Sequence, residues 1–175
     1  IILSIFVLIL LLIQYVGCIE ENFESTNTWY PVELEYYQIH ITSIIDGDTI
    51  KARMPSGNIE TIRLLGIDTP ELFIEDNNEY EYHSITNLTC LTYYAHQSKN
   101  YTEENLLNTP CFIQFDADAG YKDVYNRWLG YIYLDNNTDF NADLIRKGYA
   151  RVYVKETFYK KDNYLKLEEN AIEDN

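Results

Sequence analysis

The fold is decided by the stretch at residues 46–71, which reads DGDTIKARMPSGNIETIRLLGIDTPE. Apolar residues alternate on both sides of its first corner, where Gly47 permits a tight turn, and predict strands at residues 39–45 and 50–54. The sequence PSGN at residues 55–58 is typical of a turn and precedes a third predicted strand at residues 60–67. The stretch therefore predicts three consecutive strands with acidic residues at their ends.

The charged residues at these strand ends indicate a chemical site. Asp48 and Asp68 are carboxylates that, projecting from rigid elements toward one concavity, can gather around a hard cation such as Ca²⁺. Arg63 lies between them in sequence and Arg127 lies further along, and two arginines suit a phosphate. Each residue alone could be a strand-end cap or an ion-pair partner. Their joint spacing predicts metal-assisted phosphodiester chemistry, whereas Asp46 is assigned to the turn.

Two further segments extend this pattern. Residues 123–133 read DVYNRWLGYIY, in which an arginine precedes a strand of alternating aromatics, and residues 141–150 read NADLIRKGYA. Together with residues 46–71, they make the chain resemble the staphylococcal nuclease (thermonuclease) family over roughly residues 38–170. Several separated motifs in the right order are more specific than any one of them.

The resemblance implies a role for each matching residue. It makes Asp48 and Asp68 side-chain ligands of a single Ca²⁺, with the backbone carbonyl of Thr69 as another ligand and water completing the shell. Arg63 and Arg127 would hold the scissile phosphate and offset the charge that builds up on its oxygens. The remaining matches are the catalytic Glu71, which positions or deprotonates the attacking water, and the substrate-binding residues Tyr125 and Tyr153.

The implied fold is an α+β domain, a five-stranded OB-fold barrel packed by about three helices. The sequence supplies two more apolar strands for it, at residues 112–115 and 128–134. Helical segments are predicted at residues 91–107, at residues 141–147 and after residue 160. With the first 37 residues set aside as a leader and a linker, the nuclease-like domain occupies residues 38–175.

The beginning of the chain predicts export. Residues 1–13 are almost wholly apolar but too short for a spanning helix, and Cys18 follows a small residue, so residues 1–18 resemble a truncated lipoprotein signal. Lipid on Cys18 would tether the domain to the outer face of a membrane. Simple secretion and an uncleaved membrane anchor are the alternatives. Residues 19–37 are acidic and polar and read as a solvated linker, with an extra edge strand near residues 29–34 as the alternative.

Two features after Glu71 leave alternatives open. A long acidic loop runs from there to about residue 89, beside the expected metal site, and it could add a ligand, gate access or only decorate the rim. An extracellular location would permit a disulfide between Cys90 and Cys111. The predicted helix at residues 91–107 argues against that bridge, because it would hold the two cysteines at opposite ends.

Charge is the main departure from the expectation for a nucleic-acid binder. The chain carries 28 acidic and 13 basic side chains, a formal net charge of −15. Because nonspecific affinity comes largely from neutralising phosphates, this balance predicts modest affinity for long DNA that falls with salt. Most of the basic side chains lie after residue 90, where they could form a local basic face.

The residues and the resemblance together predict a monomeric, extracellular, Ca²⁺-dependent nuclease of low sequence specificity. It would hydrolyse phosphodiester bonds in DNA and RNA and leave 3′-phosphates. The alternative is a catalytically inactive OB-fold module that binds single-stranded nucleic acid or a protein partner. Such a module should lack a ligand or an arginine, and all five positions are intact in this chain: Asp48, Arg63, Asp68, Glu71 and Arg127. A protein with a purely structural calcium ion would leave the arginines unexplained.

Overall fold

The computed structural model describes residues 31–83, 85–135 and 137–174. The predicted leader, its lipidation site Cys18 and residues 19–30 of the predicted linker lie outside the described residues. Within the described ranges, no helix combines the length and the apolar character needed to cross a membrane. The first strand begins at Tyr36, slightly ahead of the domain boundary predicted at residue 38.

The described residues form seven strands and three helices. In chain order the strands are β1 (Tyr36–Ile44), β2 (Thr49–Arg53), β3 (Ile59–Leu64), β4 (Ile67–Asp68), β5 (Cys111–Gln114), β6 (Trp128–Leu134) and β7 (Arg151–Val152). The helices are α1 (Leu88–Leu106), α2 (Phe140–Arg146) and α3 (Lys161–Glu173), and a single 3₁₀ turn spans Ile74–Asp76.

Five of the strands close into a barrel in the order β1-β2-β3-β6-β5, with β5 pairing back onto β1. All of these pairs are antiparallel except β3 with β6. Along the first two strands, buried apolar side chains alternate with exposed ones. The buried positions include Ile39, Ile41, Ile50 and Ala52. The predicted five-stranded OB-fold barrel with three helices is confirmed.

The third predicted strand, at residues 60–67, is wrong at its end. β3 stops at Leu64 because Gly66 adopts a left-handed conformation with φ of +80°, which turns the chain away from the barrel wall. A Cβ atom at Gly66 would also lie 2.6 Å from a ring carbon of Phe158. After this break the chain forms β4, which pairs with β7 outside the barrel. The break is what carries Asp68 away from the line of β3.

A buried asparagine braces this break. The side-chain amide of Asn141 donates to the carbonyl oxygens of Leu65 (3.0 Å) and Gly130 (3.3 Å), and its oxygen accepts from the backbone N–H of Ile132 (3.0 Å). Asn141 is fully buried at the start of α2. One side chain therefore supplies hydrogen-bond partners to backbone groups on both sides of the break.

Helix α1 begins earlier than the predicted residue 91. Asn87 caps it, since the side-chain oxygen accepts a hydrogen bond from the N–H of Cys90 at 3.1 Å. Further along the helix, the hydroxyl of Thr102 donates to the carbonyl oxygen of Gly47 at 2.7 Å. Cys90 and Cys111 are free thiols, at the start of α1 and at the start of β5. The helix thus separates the cysteines and supports the corner between β1 and β2.

Candidate active site

The corner between β1 and β2 places the first two acidic residues. Oδ1 of Asp46 accepts a hydrogen bond from the N–H of Asp48 at 3.1 Å, which is the turn role expected for it. Gly47 lies against α1 so closely that a Cβ atom there would be 2.2 Å from Oγ of Ser98 and 2.8 Å from Oγ1 of Thr69. The close packing of this corner against α1 therefore leaves no room for a side chain at position 47.

Asp48 is fully buried, and both oxygens of its carboxylate have hydrogen-bond partners. Oδ2 accepts from the backbone N–H of Thr69 at 2.7 Å and from its hydroxyl at 3.1 Å. Oδ1 accepts from the hydroxyl of Thr49 at 3.1 Å and forms an ion pair with Arg63. The structure therefore brings together three residues that the sequence assigns to the metal and the phosphate.

Arg63 bridges the two predicted metal ligands. Its Nη1 group contacts Oδ1 of Asp48 and its Nη2 group lies 2.7 Å from Oδ1 of Asp68. The guanidinium is only 18% exposed, so both ion pairs are largely shielded from water. Carboxylate oxygens from two separate strand ends thus converge on one cationic group.

Glu71 lies on the loop that follows Asp68 and is held by a buried asparagine. Oδ1 of Asn77 accepts the N–H of Glu71 at 2.9 Å, and the amide of Asn77 donates back to its carbonyl oxygen at 2.7 Å. Partial burial raises the pKa of the Glu71 carboxyl, the Asp46 and Asp68 carboxylates raise it further, and Arg63 opposes them. Glu71 therefore belongs electrostatically to the same cluster.

Arg127 is fixed by Asp123, four residues before it. Oδ2 of Asp123 accepts from Nε of Arg127 at 2.7 Å, while Oδ1 accepts the backbone N–H groups of Tyr125 and Arg127, each at 2.9 Å. Burial raises the pKa of Asp123, but the hydrogen bonds from Arg127 outweigh it and hold the pKa below its ordinary value. This arrangement uses Nε and leaves the two terminal nitrogens of Arg127 for a ligand.

An open cavity of about 710 Å³ connects these groups. Its walls include five of the residues singled out from the sequence: Arg63, Asp68, Tyr125, Arg127 and Tyr153. Asp48, Thr69 and Glu71 are not part of its lining, and Asp48 reaches it through Arg63. Tyr125 is 78% exposed and its ring lies 5.5 Å from the guanidinium carbon of Arg127. The cavity is wide enough to admit a nucleotide-sized ligand.

Sequence reasoning missed several residues at this site. Arg151, which directly follows the segment 141–150, forms an ion pair with Asp68. Tyr82, in the loop after Glu71, donates a hydrogen bond to Asp68 as well. Glu156 lines the cavity beside the arginines, and burial raises its pKa. No motif or periodic pattern in the sequence marks Asn77, which holds the backbone of Glu71. Asp123 could have been recognised, because an aspartate two residues before Tyr125 is typical of an Asx turn.

The donor set suits a hard cation. Within the described part of the chain, no three His, Cys, Asp or Glu side chains stand together in the geometry of a metal site. Two carboxylates do converge, Asp48 and Asp68, at the point where their Oδ1 atoms both meet the guanidinium of Arg63. Two anionic oxygens supplemented by a carbonyl and water are ligands that Ca²⁺ and Mg²⁺ accept. The residues therefore fit an oxygen-ligated divalent ion.

A comparison with protein families decides the identity. The model described as Staphylococcal nuclease homologue matches residues 61–175, more than half of the chain. The chain belongs to the staphylococcal nuclease family. It is a hydrolase of the nuclease type, and this family assignment agrees with the barrel, the two arginines and the acidic strand ends.

Curated relatives of this staphylococcal nuclease family member come from bacteria and archaea. A thermonuclease of Staphylococcus intermedius is 31% identical over 94% of this chain and 83% of its own length. An uncharacterized protein of Methanocaldococcus jannaschii is 34% identical over 90% of this chain and 84% of its own. A prophage-derived endonuclease of Bacillus subtilis is 30% identical over 78% of this chain but only 42% of its own.

Proposed function

We propose that the chain is a Ca²⁺-dependent nuclease that hydrolyses phosphodiester bonds in DNA and RNA with low sequence specificity and leaves 3′-phosphate products. The observation that carries this proposal is that Arg63, which pairs with both Asp48 and Asp68, lines the same open cavity as Arg127. The names of the relatives, a thermonuclease and an endonuclease, support nucleic acid as the substrate.

Asp48, Asp68 and the carbonyl oxygen of Thr69 would hold the calcium ion. When bound, Ca²⁺ supplies a positive charge that polarises a phosphoryl oxygen of the substrate. Asp48 is suited to this role because hydrogen bonds from Thr69 and Thr49 already fix the orientation of its carboxylate. Such fixed ligands avoid the entropic cost of ordering a loose side chain on binding.

Arg63 and Arg127 would bind the scissile phosphate from two sides of the cavity. Arg63 is poised between two carboxylates, and Arg127 is oriented by Asp123 with its terminal nitrogens free of that ion pair. Planar guanidinium groups donate paired hydrogen bonds to phosphate oxygens, and they stabilise the additional charge of a pentavalent transition state.

Glu71 would orient or deprotonate the attacking water. Its raised pKa suits this role, since a general base is most effective when its pKa approaches the working pH. The hydrogen bonds from Asn77 fix the backbone that carries it. Tyr125 and Tyr153, on the cavity wall, would contact the phosphate and sugar of the substrate nucleotide.

We place this activity outside the cell, either tethered by lipid on Cys18 or secreted. The apolar residues 1–13 and the position of Cys18 after the small residue Gly17 support export. An exported nuclease would meet millimolar calcium, which a site with two carboxylate ligands can use. We further expect the chain to act as a monomer.

Cleavage of single-stranded DNA by the purified full chain, with Ca²⁺ against a chelator, tests the proposal. We expect cleavage only with Ca²⁺, products that end in 3′-phosphate, and a loss of at least about a hundredfold in rate in Glu71→Gln and in Arg127→Ala. Glu75→Gln and Arg53→Ala, at exposed positions on the same loop and on β2, serve as matched controls. A folded chain that binds single-stranded DNA without cutting it would establish the inactive binding module instead.

A further inference from the structure

Asp68 is held from both sides. Its Oδ1 atom faces Nη2 of Arg63 at 2.7 Å. Its Oδ2 atom receives Nε and Nη2 of Arg151 at 3.0 and 2.7 Å, and also the hydroxyl of Tyr82 at 3.2 Å. The partners divide cleanly between the two oxygens, so the carboxylate cannot rotate without breaking several hydrogen bonds at once.

Arg151 reaches this position because of the pairing between β4 and β7. Asp68 and Arg151 are direct partners in that two-stranded sheet, which sets their side chains side by side. Arg151 is 23% exposed and Asp68 is 13% exposed, so water competes only weakly for the contact. The break after β3 and the short strand β7 together create this arrangement.

The loop between Glu71 and α1 completes the arrangement. Nη1 of Arg151 donates to the carbonyl oxygen of Glu81, and Nη2 lies 3.0 Å from its carboxylate. The guanidinium carbon is 4.6 Å from the ring centre of Tyr82. Tyr80 and His83 in the same loop have left-handed backbone conformations, which persist where surrounding contacts impose them. The loop is therefore anchored to Arg151 by the contacts of Glu81 and Tyr82.

We propose that Arg151, supported by Glu81 and Tyr82, is a positioning residue that fixes the carboxylate of Asp68 so that Oδ1 points at the site. This inference rests on the proposed function, because it assigns Asp68 to the metal. In this proposal the acidic loop helps to hold the proposed metal ligand Asp68 in place, through Glu81 and Tyr82. Partners that orient a ligating carboxylate commonly contribute ten- to a hundredfold to metal affinity or activity.

If Arg151 acted only through its charge, Arg151→Lys would leave Ca²⁺ binding unchanged. An arginine that only neutralises Asp68 could be replaced by lysine, which keeps the positive charge but cannot grip one oxygen with two nitrogens. Removing the charge altogether would then favour a bound cation, because Arg151 repels it. Arg151→Lys therefore separates positioning from charge.

The test is calorimetric titration of the full chain with Ca²⁺ alone, together with steady-state cleavage of single-stranded DNA. We expect Arg151→Lys to weaken Ca²⁺ binding by about tenfold and to lower kcat with little change in KM. Tyr82→Phe removes one hydroxyl and keeps the ring under Arg151, so we expect a smaller loss of about threefold in Ca²⁺ affinity. The matched controls Arg146→Lys and Tyr80→Phe, both at exposed residues, should equal the wild type.

Wild-type Ca²⁺ affinity in both Arg151→Lys and Tyr82→Phe would overturn the inference and leave the nuclease proposal intact. A wild-type chain that neither binds Ca²⁺ nor cuts DNA would overturn both. Thermal unfolding of every variant guards against loss of structure. If Arg151→Lys does not fold, Tyr82→Phe decides alone, since its substitution removes only one oxygen atom.

Discussion

At the scale of single residues, Asp123 has a role that depends on its charge. Its carboxylate is 10% exposed and accepts three hydrogen bonds from the segment that carries Arg127. Burial alone would disfavour the charged form, yet these donors lower the pKa. The ionised carboxylate therefore stabilises the folded chain, and Asp123 orients Arg127, one of the two arginines proposed to bind phosphate.

This pKa shift has a defined consequence for stability against pH. Because the pKa of Asp123 is lower in the folded chain than in the unfolded chain, its stabilisation is present above the ordinary carboxyl pKa and is lost as the pH falls through the folded value. We expect Asp123→Asn to lower the free energy of unfolding by about 1 kcal/mol at pH 7, with the difference shrinking below about pH 4.

Urea unfolding at pH 7, 5, 4 and 3 measures this difference. Asp135→Asn, which removes the same charge from an exposed position in the turn after β6, is the matched control. A deficit in Asp123→Asn that stays constant down to pH 3 would show that the charge of Asp123 is not what stabilises the segment.

At the scale of structural elements, the loop after Asp68 is held to the candidate site by specific hydrogen bonds and an ion pair. Asn77 is buried, and besides Glu71 it donates to the carbonyl oxygen of Phe73 at 3.0 Å. The same loop reaches Arg151 through Glu81. The loop is thus joined both to Glu71 and, through Arg151, to Asp68.

Asn77→Ala tests whether the loop positions Glu71. The substitution removes both hydrogen bonds to the backbone of Glu71 while leaving Asp48 and Asp68 with their partners. We expect kcat for single-stranded DNA to fall by about tenfold or more, because small displacements of a catalytic group are costly, with Ca²⁺ affinity unchanged.

Asn58→Ala is the matched control, since Asn58 is exposed in the turn between β2 and β3. Steady-state kinetics and calorimetry separate the outcomes. Equal losses of kcat and Ca²⁺ affinity in Asn77→Ala would mean that the loop supports the whole site rather than Glu71.

At the scale of the whole molecule, the net charge of −15 opposes nucleic-acid binding, whereas the cavity brings basic side chains together with acidic ones. Four basic residues line it: Arg63, Lys122, Arg127 and Lys155. The cavity also contains acidic residues, among them Asp118 and Glu156, which limit its attraction for phosphate. A cavity with only four basic side chains on an acidic protein predicts local engagement of a few nucleotides rather than binding along a long strand.

Salt dependence measures the extent of this engagement. If about four phosphates are neutralised, the logarithm of the association constant for single-stranded DNA should fall against the logarithm of salt concentration with a slope of about −3. Fluorescence anisotropy with the Glu71→Gln chain, which retains all four basic residues, gives this slope without cleavage. A slope steeper than about −6 would require a basic surface outside the cavity.

Much of the site could be predicted because its residues lie close together in sequence. Asp48, Arg63, Asp68 and Glu71 fall within 46–71, where strand ends and turns place side chains by local geometry. The end of β3 was mispredicted because Leu65 and Ile67 continue an apolar run, and only the left-handed Gly66 and the buried Asn141 end the strand. Periodicity cannot report such a brace from elsewhere in the chain.

The sequence by itself determined the barrel, its three helices, and the residues that carry carboxylate and guanidinium chemistry. These follow from alternation, turns and motif order, which are local properties of the chain. Only the tertiary structure decided that Arg63 joins Asp48 to Asp68, that Asp123 directs Arg127, and that Arg151 grips Asp68. The pairing of Asp68 with Arg151 spans 83 positions. It arises when β4 and β7 meet, because contacts between distant segments are fixed by packing and leave no periodic trace in sequence.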